Sequence, residues 1–187
     1  YVPDQDITAP WWASKAEDWW KLAAENDFWQ GGFVWTGFDY RGEPTPYKWP
    51  NVNSHFGIMD VCGFPKNIYY YYKSWWTDED VIHISPHWNW NEKIGQPIEV
   101  WVNSNADDVE LFLNGKSLGK KTMPRNSHLK WEVTYEPGTL EAIGYKKGKK
   151  ISTKVETTST PYKVIATSEK NILTADGKDA TVVNISI

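Results

Sequence analysis

Near Val81 the hydrophobic period of this chain changes from that of a helix to that of a strand. That switch limits the fold to an aromatic, helix-bearing part followed by an antiparallel β part. Before it, Ala16, Trp19, Trp20, Ala23 and Ala24 recur at helical spacing and make one buried face. Ser14 and Glu17 stand in front at capping-box spacing, and the helix is predicted to end near Asn26. Gly31 to Trp35 is short and apolar, the pattern of a buried parallel strand. A helix followed by a buried strand is the unit of an α/β fold. A Pro- and Asn-rich loop runs from Asp39 to about Pro65, and loops of such length without structure of their own are usually functional. A second helix fits Asn67 to Trp76, where Ile68, Tyr71, Tyr72 and Trp75 share a face.

Beyond the switch, Ile98 to Val102 and Val109 to Leu113 alternate, and the second run leads into Asn114-Gly115, a strong hairpin signal. Leu129, Trp131, Val133 and Tyr135 line one face of another strand. That strand turns at Glu136-Pro137-Gly138 into Thr139 to Tyr145, and a last strand fits Lys150 to Glu156. Short strands at this spacing predict an immunoglobulin-like β-sandwich. With about 75 residues it is small for that fold and should lean on a neighbour. Thr157 to Pro161 reads as a linker, and Ile172 to Ile187 holds two more strand-like runs around Ala175 to Asp179. The last residues are too few to close a sandwich, so the chain is expected to be cut at both ends.

The net charge of −4 offers no basic surface for nucleic acid. Lys146, Lys147, Lys149 and Lys150 gather around Gly148 as in a solvated hairpin tip. No apolar run approaches the ~20 residues of a membrane span. The single cysteine, Cys62, allows no internal disulfide and no metal-binding spacing, and neither metal nor cofactor is expected. Thirteen tryptophans and ten tyrosines are the anomaly. Aromatic rings suit the apolar C–H face of a pyranose, although most should simply fill cores and domain contacts.

Several long motifs occur in order: GGFVWTGFDYRGEPTPYKWP from Gly31, SHFGIMDVCGFPK from Ser54, YYYYKSWW from Tyr69, HWNW from His87, VELFLNGKSLG from Val109 and LTADGKDA from Leu173. In these motifs the chain resembles glycoside hydrolase family 2, in particular its β-galactosidase-like members from Bacteroidetes. The resemblance implies an α+β, multidomain fold. Residues 1–80 would be the C-terminal end of a TIM (β/α)8 barrel, with its last strand and flanking helices. Residues 81–160 would be the immunoglobulin-like antiparallel β-sandwich, and residues 161–187 the start of a further immunoglobulin-like domain. Enzymes of the family hydrolyse β-glycosides with retention, using two glutamates whose carboxyls lie ~5–5.5 Å apart. Both are expected upstream of Tyr1, leaving no catalytic residue here. Glu17 and Glu25 belong to the first helix, and Glu43 to the loop.

The resemblance assigns this segment a wall of the sugar site. Trp35 aligns with a strand-end tryptophan that floors the sugar, worth ~1–2 kcal/mol in area terms. Asp39 would hydrogen-bond a neighbouring loop or a sugar hydroxyl, His55 could reach the subsite edge, and Arg41 and Glu43 could pair. β-Glucuronidases of the family carry an Asn-x-Lys pair before the glycine of the return loop, where the lysine meets the sugar carboxylate. Aligning Gly57 puts Ser54 and Phe56 there, and phenylalanine offers a buried carboxylate no compensation. The expected parent is therefore an exo-β-glycosidase for neutral sugars, foremost β-galactosides, periplasmic or secreted. Its partners would be a carbohydrate substrate and the rest of the barrel. The competing expectation is a non-catalytic carbohydrate-binding or scaffolding module, for which Trp88, Trp90 and Trp101 are the candidate platform. Unpartnered apolar faces would make the N-terminal part prone to associate, with a homo-oligomer as one outcome.

Overall fold

The computed structural model describes residues 13–187, and the start of the 1–80 region lies outside them. Two compact units divide the chain, one running to Thr157 and the other from Thr158 to Ile187. The described residues are mostly β, in antiparallel sheets, with two α-helices.

In the first unit, α1 (Ala16–Glu25) and α2 (Asn67–Trp76) precede seven strands. These are β1 (Ile82–Ser85), β2 (Pro97–Ser104), β3 (Asp108–Leu113), β4 (Lys116–Thr122), β5 (Leu129–Thr134), β6 (Thr139–Lys146) and β7 (Lys149–Glu156). One sheet runs β1-β2-β5 and the other β4-β3-β6-β7. Period-two alternation explains the layering. Leu129, Trp131 and Val133 are buried while Lys130, Glu132 and Thr134 between them are exposed. Val100 sits opposite Trp131, and Leu111 opposite Ala142. One core formed by both sheets results, with Trp88, Val100, Val102, Val109, Leu111, Tyr135 and Leu140 fully buried. Burial of a large apolar side chain contributes about 1.5–3 kcal/mol. Asn114 and Gly115 both take positive φ between β3 and β4, the geometry that Asn-Gly favours. The lysines of the β6–β7 tip surround Lys147 and Gly148, also at positive φ.

α2 forms over the predicted residues and buries Ile68, Tyr71 and Tyr72. Trp19 and Trp20 of α1 pack on that face, edge to face with each other at 5.6 Å. The helices meet the sandwich at the loop before β5. Tyr71 Oη donates to Asn126 O (2.8 Å), Trp75 Nε1 to Ser127 O (3.1 Å), and Trp20 Nε1 to Asn126 Oδ1 (3.2 Å).

Three expectations need correction. Gly31 to Trp35 is not a strand: Phe33 is fully exposed and the run joins no ladder. A strand needs neighbours for its N–H and C=O groups, and among the described residues this run meets the Trp19 ring at Gly32 and the helix cluster at Val34 but pairs its backbone with no strand. The capping box does not form, because Lys15 is the N-cap and Glu17 is taken up by the sandwich loop. β1 and β4 are strands that the sequence pattern does not announce, since β1 is four residues long and β4 holds Leu118 as its one apolar side chain of size. In the second unit β8 (Ile165–Ser168) pairs with β9 (Val183–Ser186), so the first strand lies before residue 172. Asp176 and Asp179 explain this. Asp176 Oδ1 accepts the amides of Lys178 and Asp179, and Asp179 Oδ2 that of Thr174, holding 174–179 as a turn.

Candidate functional site

The long loop folds back on itself, and its backbone does what the missing strand does not. Ile58 N donates to Thr36 O (3.0 Å), Met59 N to Gly37 O (3.0 Å) and Asp39 N to Met59 O (2.9 Å), making a parallel bridge between Phe38 and Met59. Further out the pairing is antiparallel, with Ser54 N on Tyr40 O (2.8 Å) and Gly42 N on Val52 O (2.8 Å). The two segments touch at Gly57, where an added Cβ would lie 2.2 Å from Asp39 N and 2.4 Å from Met59 O.

Trp35 stands at the head of this ribbon and is 72% exposed. Its indole N–H donates to Tyr40 Oη (3.2 Å), and the rings meet edge to face at 6.0 Å. Tyr40 Oη in turn donates to Glu43 Oε2, and the carboxylate holds the phenol above its ordinary pKa. Glu43 is thereby engaged with Tyr40, and the Arg41–Glu43 pair does not form among the described residues.

Asp39 faces inward, its side chain 8% exposed, and Oδ1 accepts both the Gly57 amide (2.8 Å) and Lys66 Nζ (2.7 Å). Lys66 Nζ also donates to His55 O (3.2 Å). The His55 ring lies edge to face with Tyr47 at 4.9 Å, and Nε2–H donates to Asn51 Oδ1 (3.2 Å). The ribbon thus brings Asp39 and His55 together through one ammonium and connects Trp35 to them through Tyr40. Ser54 is fully buried, its Oγ accepting the Tyr40 amide (3.1 Å), and Phe56 packs on Tyr40 at 6.5 Å. Chemically the surface offers an open indole face with fixed hydrogen-bonding groups behind it. No group of three His, Cys, Asp or Glu side chains among the described residues could hold a metal ion.

The sandwich tryptophans are covered. Trp88 is fully buried and donates to Glu136 O (3.0 Å). Trp90 has His87 stacked at 4.4 Å and Lys93 Nζ at 4.3 Å, while Trp101 has His128 stacked at 3.9 Å and Lys130 Nζ at 4.1 Å. Sequence reading missed Lys66, whose partner Asp39 is 27 positions away and shares no local pattern with it. It also missed Asn126, whose positive φ is signalled only by a Pro-x-Asn turn at Pro124.

Residues 95–152 match the model of a domain of unknown function, DUF4982. The chain is 49% identical over 179 residues to the β-galactosidase BoGH2A of Bacteroides ovatus, covering 94% of this chain and 21% of that protein. It is 44% identical over 156 residues to a putative β-glucuronidase of Formosa agariphila, covering 80% and 15%. Among solved structures, a β-glycosidase from Bacteroides vulgatus superposes with a TM-score of 0.84 at 36% identity, covering 92% of this chain and 22% of that one. A glycosyl hydrolase family 2 member from Bacteroides cellulosilyticus gives 0.82 at 29%, covering 92% and 27%. The chain therefore spans about a fifth of the length of the curated relatives it matches.

Proposed function

The chain belongs to glycoside hydrolase family 2, and on that premise we propose that it is the part of a retaining exo-β-glycosidase that walls the sugar site. In this reading residues up to about 80 complete the C-terminal end of the (β/α)8 barrel, and an immunoglobulin-like sandwich follows. The two catalytic glutamates come from elsewhere in the enzyme. The observation that carries the reading is the open Trp35 indole, fixed through Tyr40 at the head of a ribbon that Asp39 ties down. An indole held in one plane replaces water on the apolar face of a pyranose without ordering a mobile side chain first. Trp35 and His55 are the proposed sugar-side residues of this segment, with Asp39, turned inward onto Lys66 and the Gly57 amide, bracing the loop behind them, and the enzyme acts in the periplasm or outside the cell.

Relatives bearing both the galactosidase and the glucuronidase name share this segment, so the choice of sugar rests on the return loop. Phe56 packs on Tyr40 and Ser54 is buried, and neither supplies a cation to a uronic carboxylate. The full-length enzyme is expected to hydrolyse a chromogenic β-galactoside at least tenfold faster, in kcat/KM, than the matching β-glucuronide. The reverse order would overturn the assignment of position 56. The alternative of a carbohydrate-binding module draws support from the tryptophan content alone. Coverage of Trp88, Trp90 and Trp101 speaks against it, and retention of the chain on polysaccharide after Trp35→Ala would revive it.

A further inference from the structure

We propose that Lys66, just ahead of α2, is a positioning residue that holds the sugar-site wall in register; the inference rests on reading Trp35 as the sugar platform. Lys66 makes three contacts that between them reach both segments of the ribbon. Its amide donates to Ile58 O (3.0 Å), its ammonium to Asp39 Oδ1 (2.7 Å) and to His55 O (3.2 Å). Two residues later Ile68 is fully buried in the helix cluster, so the lysine's backbone is anchored in a packed element while its side chain reaches into the loop.

Asp39 is the receiving end. A carboxylate with its side chain 8% exposed needs a counter-charge, and Lys66 is the cation that meets it. The same oxygen accepts the Gly57 amide, so neutralising Lys66 loosens both segments of the ribbon at once. Asp39 is followed directly by Tyr40, whose hydroxyl receives the Trp35 N–H. Displacement at Asp39 therefore passes to the indole through one peptide unit and one hydrogen bond. Lys66 touches no sugar in this arrangement; it fixes the angle at which the platform is offered.

The test uses the full-length enzyme and a chromogenic β-galactoside. Lys66→Met keeps the apolar stem and removes the charge, and it is expected to raise KM about tenfold while kcat stays within about twofold, the signature of lost uniform binding. Lys66→Arg restores a cation and should recover most of the loss. Combining Lys66→Met with Asp39→Asn removes both charges, and its KM should lie below that of Lys66→Met alone, because no carboxylate is left uncompensated. A lysine that only stabilised the fold would lower the yield of active enzyme and leave KM unmoved, and that result overturns the proposal. Should Lys66→Met yield no folded enzyme, Lys66→Gln is measured in its place, with the same KM criterion. Trp35→Ala is the separate arm. An unchanged KM there refutes the platform itself, whereas a raised KM beside an unaffected Lys66→Met refutes only the positioning role.

Discussion

Gly57→Ala is expected to open the ribbon that carries Trp35 and to abolish activity in the enzyme that contains it. The methyl group would arrive 2.2 Å from Asp39 N, 2.4 Å from Met59 O and 2.4 Å from Phe38 C, all of them backbone atoms that no side-chain rotation can move. The segments must separate, and with them go the Asp39 N–H to Met59 bond at 2.9 Å and the Gly57 N–H to Asp39 bond at 2.8 Å. Overpacking costs about 1–3 kcal/mol, and each lost hydrogen bond adds about 1, giving a local loss of about 3–5 kcal/mol. The Asp39 and Gly57 amides should lose hydrogen-exchange protection by a factor of about a hundred or more. Gly37→Ala is the control, because a Cβ there meets nothing within 4 Å and the ribbon should be unchanged. Equal protection in the wild type and Gly57→Ala would mean that the two segments are not in contact.

The same contrast separates what the residues disclose from what they do not. α2 was legible because Ile68, Tyr71, Tyr72 and Trp75 fall on one face of a helix and find a hydrophobic neighbour in this same chain. β2, β3, β5 and β6 were legible because their alternating faces close one core between two sheets. Gly31 to Trp35 carries an equally plain apolar signal, yet a strand is a property of pairs, and the partners are not among the described residues. β4 reversed the case: with little apolar pattern of its own, it pairs with β3 through a register fixed by the Asn114-Gly115 turn. At the candidate site, the family resemblance pointed to Trp35, Asp39 and His55. The groups that orient them, Tyr40 and Lys66, act through side-chain bonds spanning 5 to 27 positions, which no periodicity records. Ser14 shows the opposite error, a local pattern outbid by tertiary contact, since Glu17 finds stronger donors in Ser127 and His128 than at its own helix start.

Glu17→Gln is expected to lower stability at neutral pH by about 2 kcal/mol and to flatten the lower acid limb of the stability curve. Burial alone would raise this carboxyl, but hydrogen bonds from His128, Lys21 and Ser127 outweigh it and pull the pKa from 4.5 to about 2. The partners are close: His128 Nδ1 at 2.5 Å from Oε2, with Lys21 Nζ at 2.5 Å and Ser127 Oγ at 2.6 Å from Oε1. A fall of that size corresponds to about 3 kcal/mol, reduced to about 2 because Lys21 reaches solvent. The carboxyl is depressed in the folded state. Its contribution is therefore complete above pH 4.5 and disappears as pH falls toward 2. His83 works in the adjoining window. Burial against α2, with its ring stacked on Tyr70 at 3.7 Å and Nε2–H donating to Asn67 (2.9 Å), lowers its pKa from 6.5 to about 4. The unfolded chain takes up that proton first, so stability already declines as pH falls from 6.5 toward 4. Urea unfolding of the full chain across pH 2–7 should then show both limbs in the wild type and a shallower lower limb in Glu17→Gln, where the lysine-paired carboxyls of Asp80, Asp108 and Glu156, also held below their ordinary range, supply what is left. A variant whose lower limb is as steep as the wild type's would mean that the helices are held to the sandwich by Tyr71, Trp75 and Trp20 alone, with Glu17 a bystander at the joint.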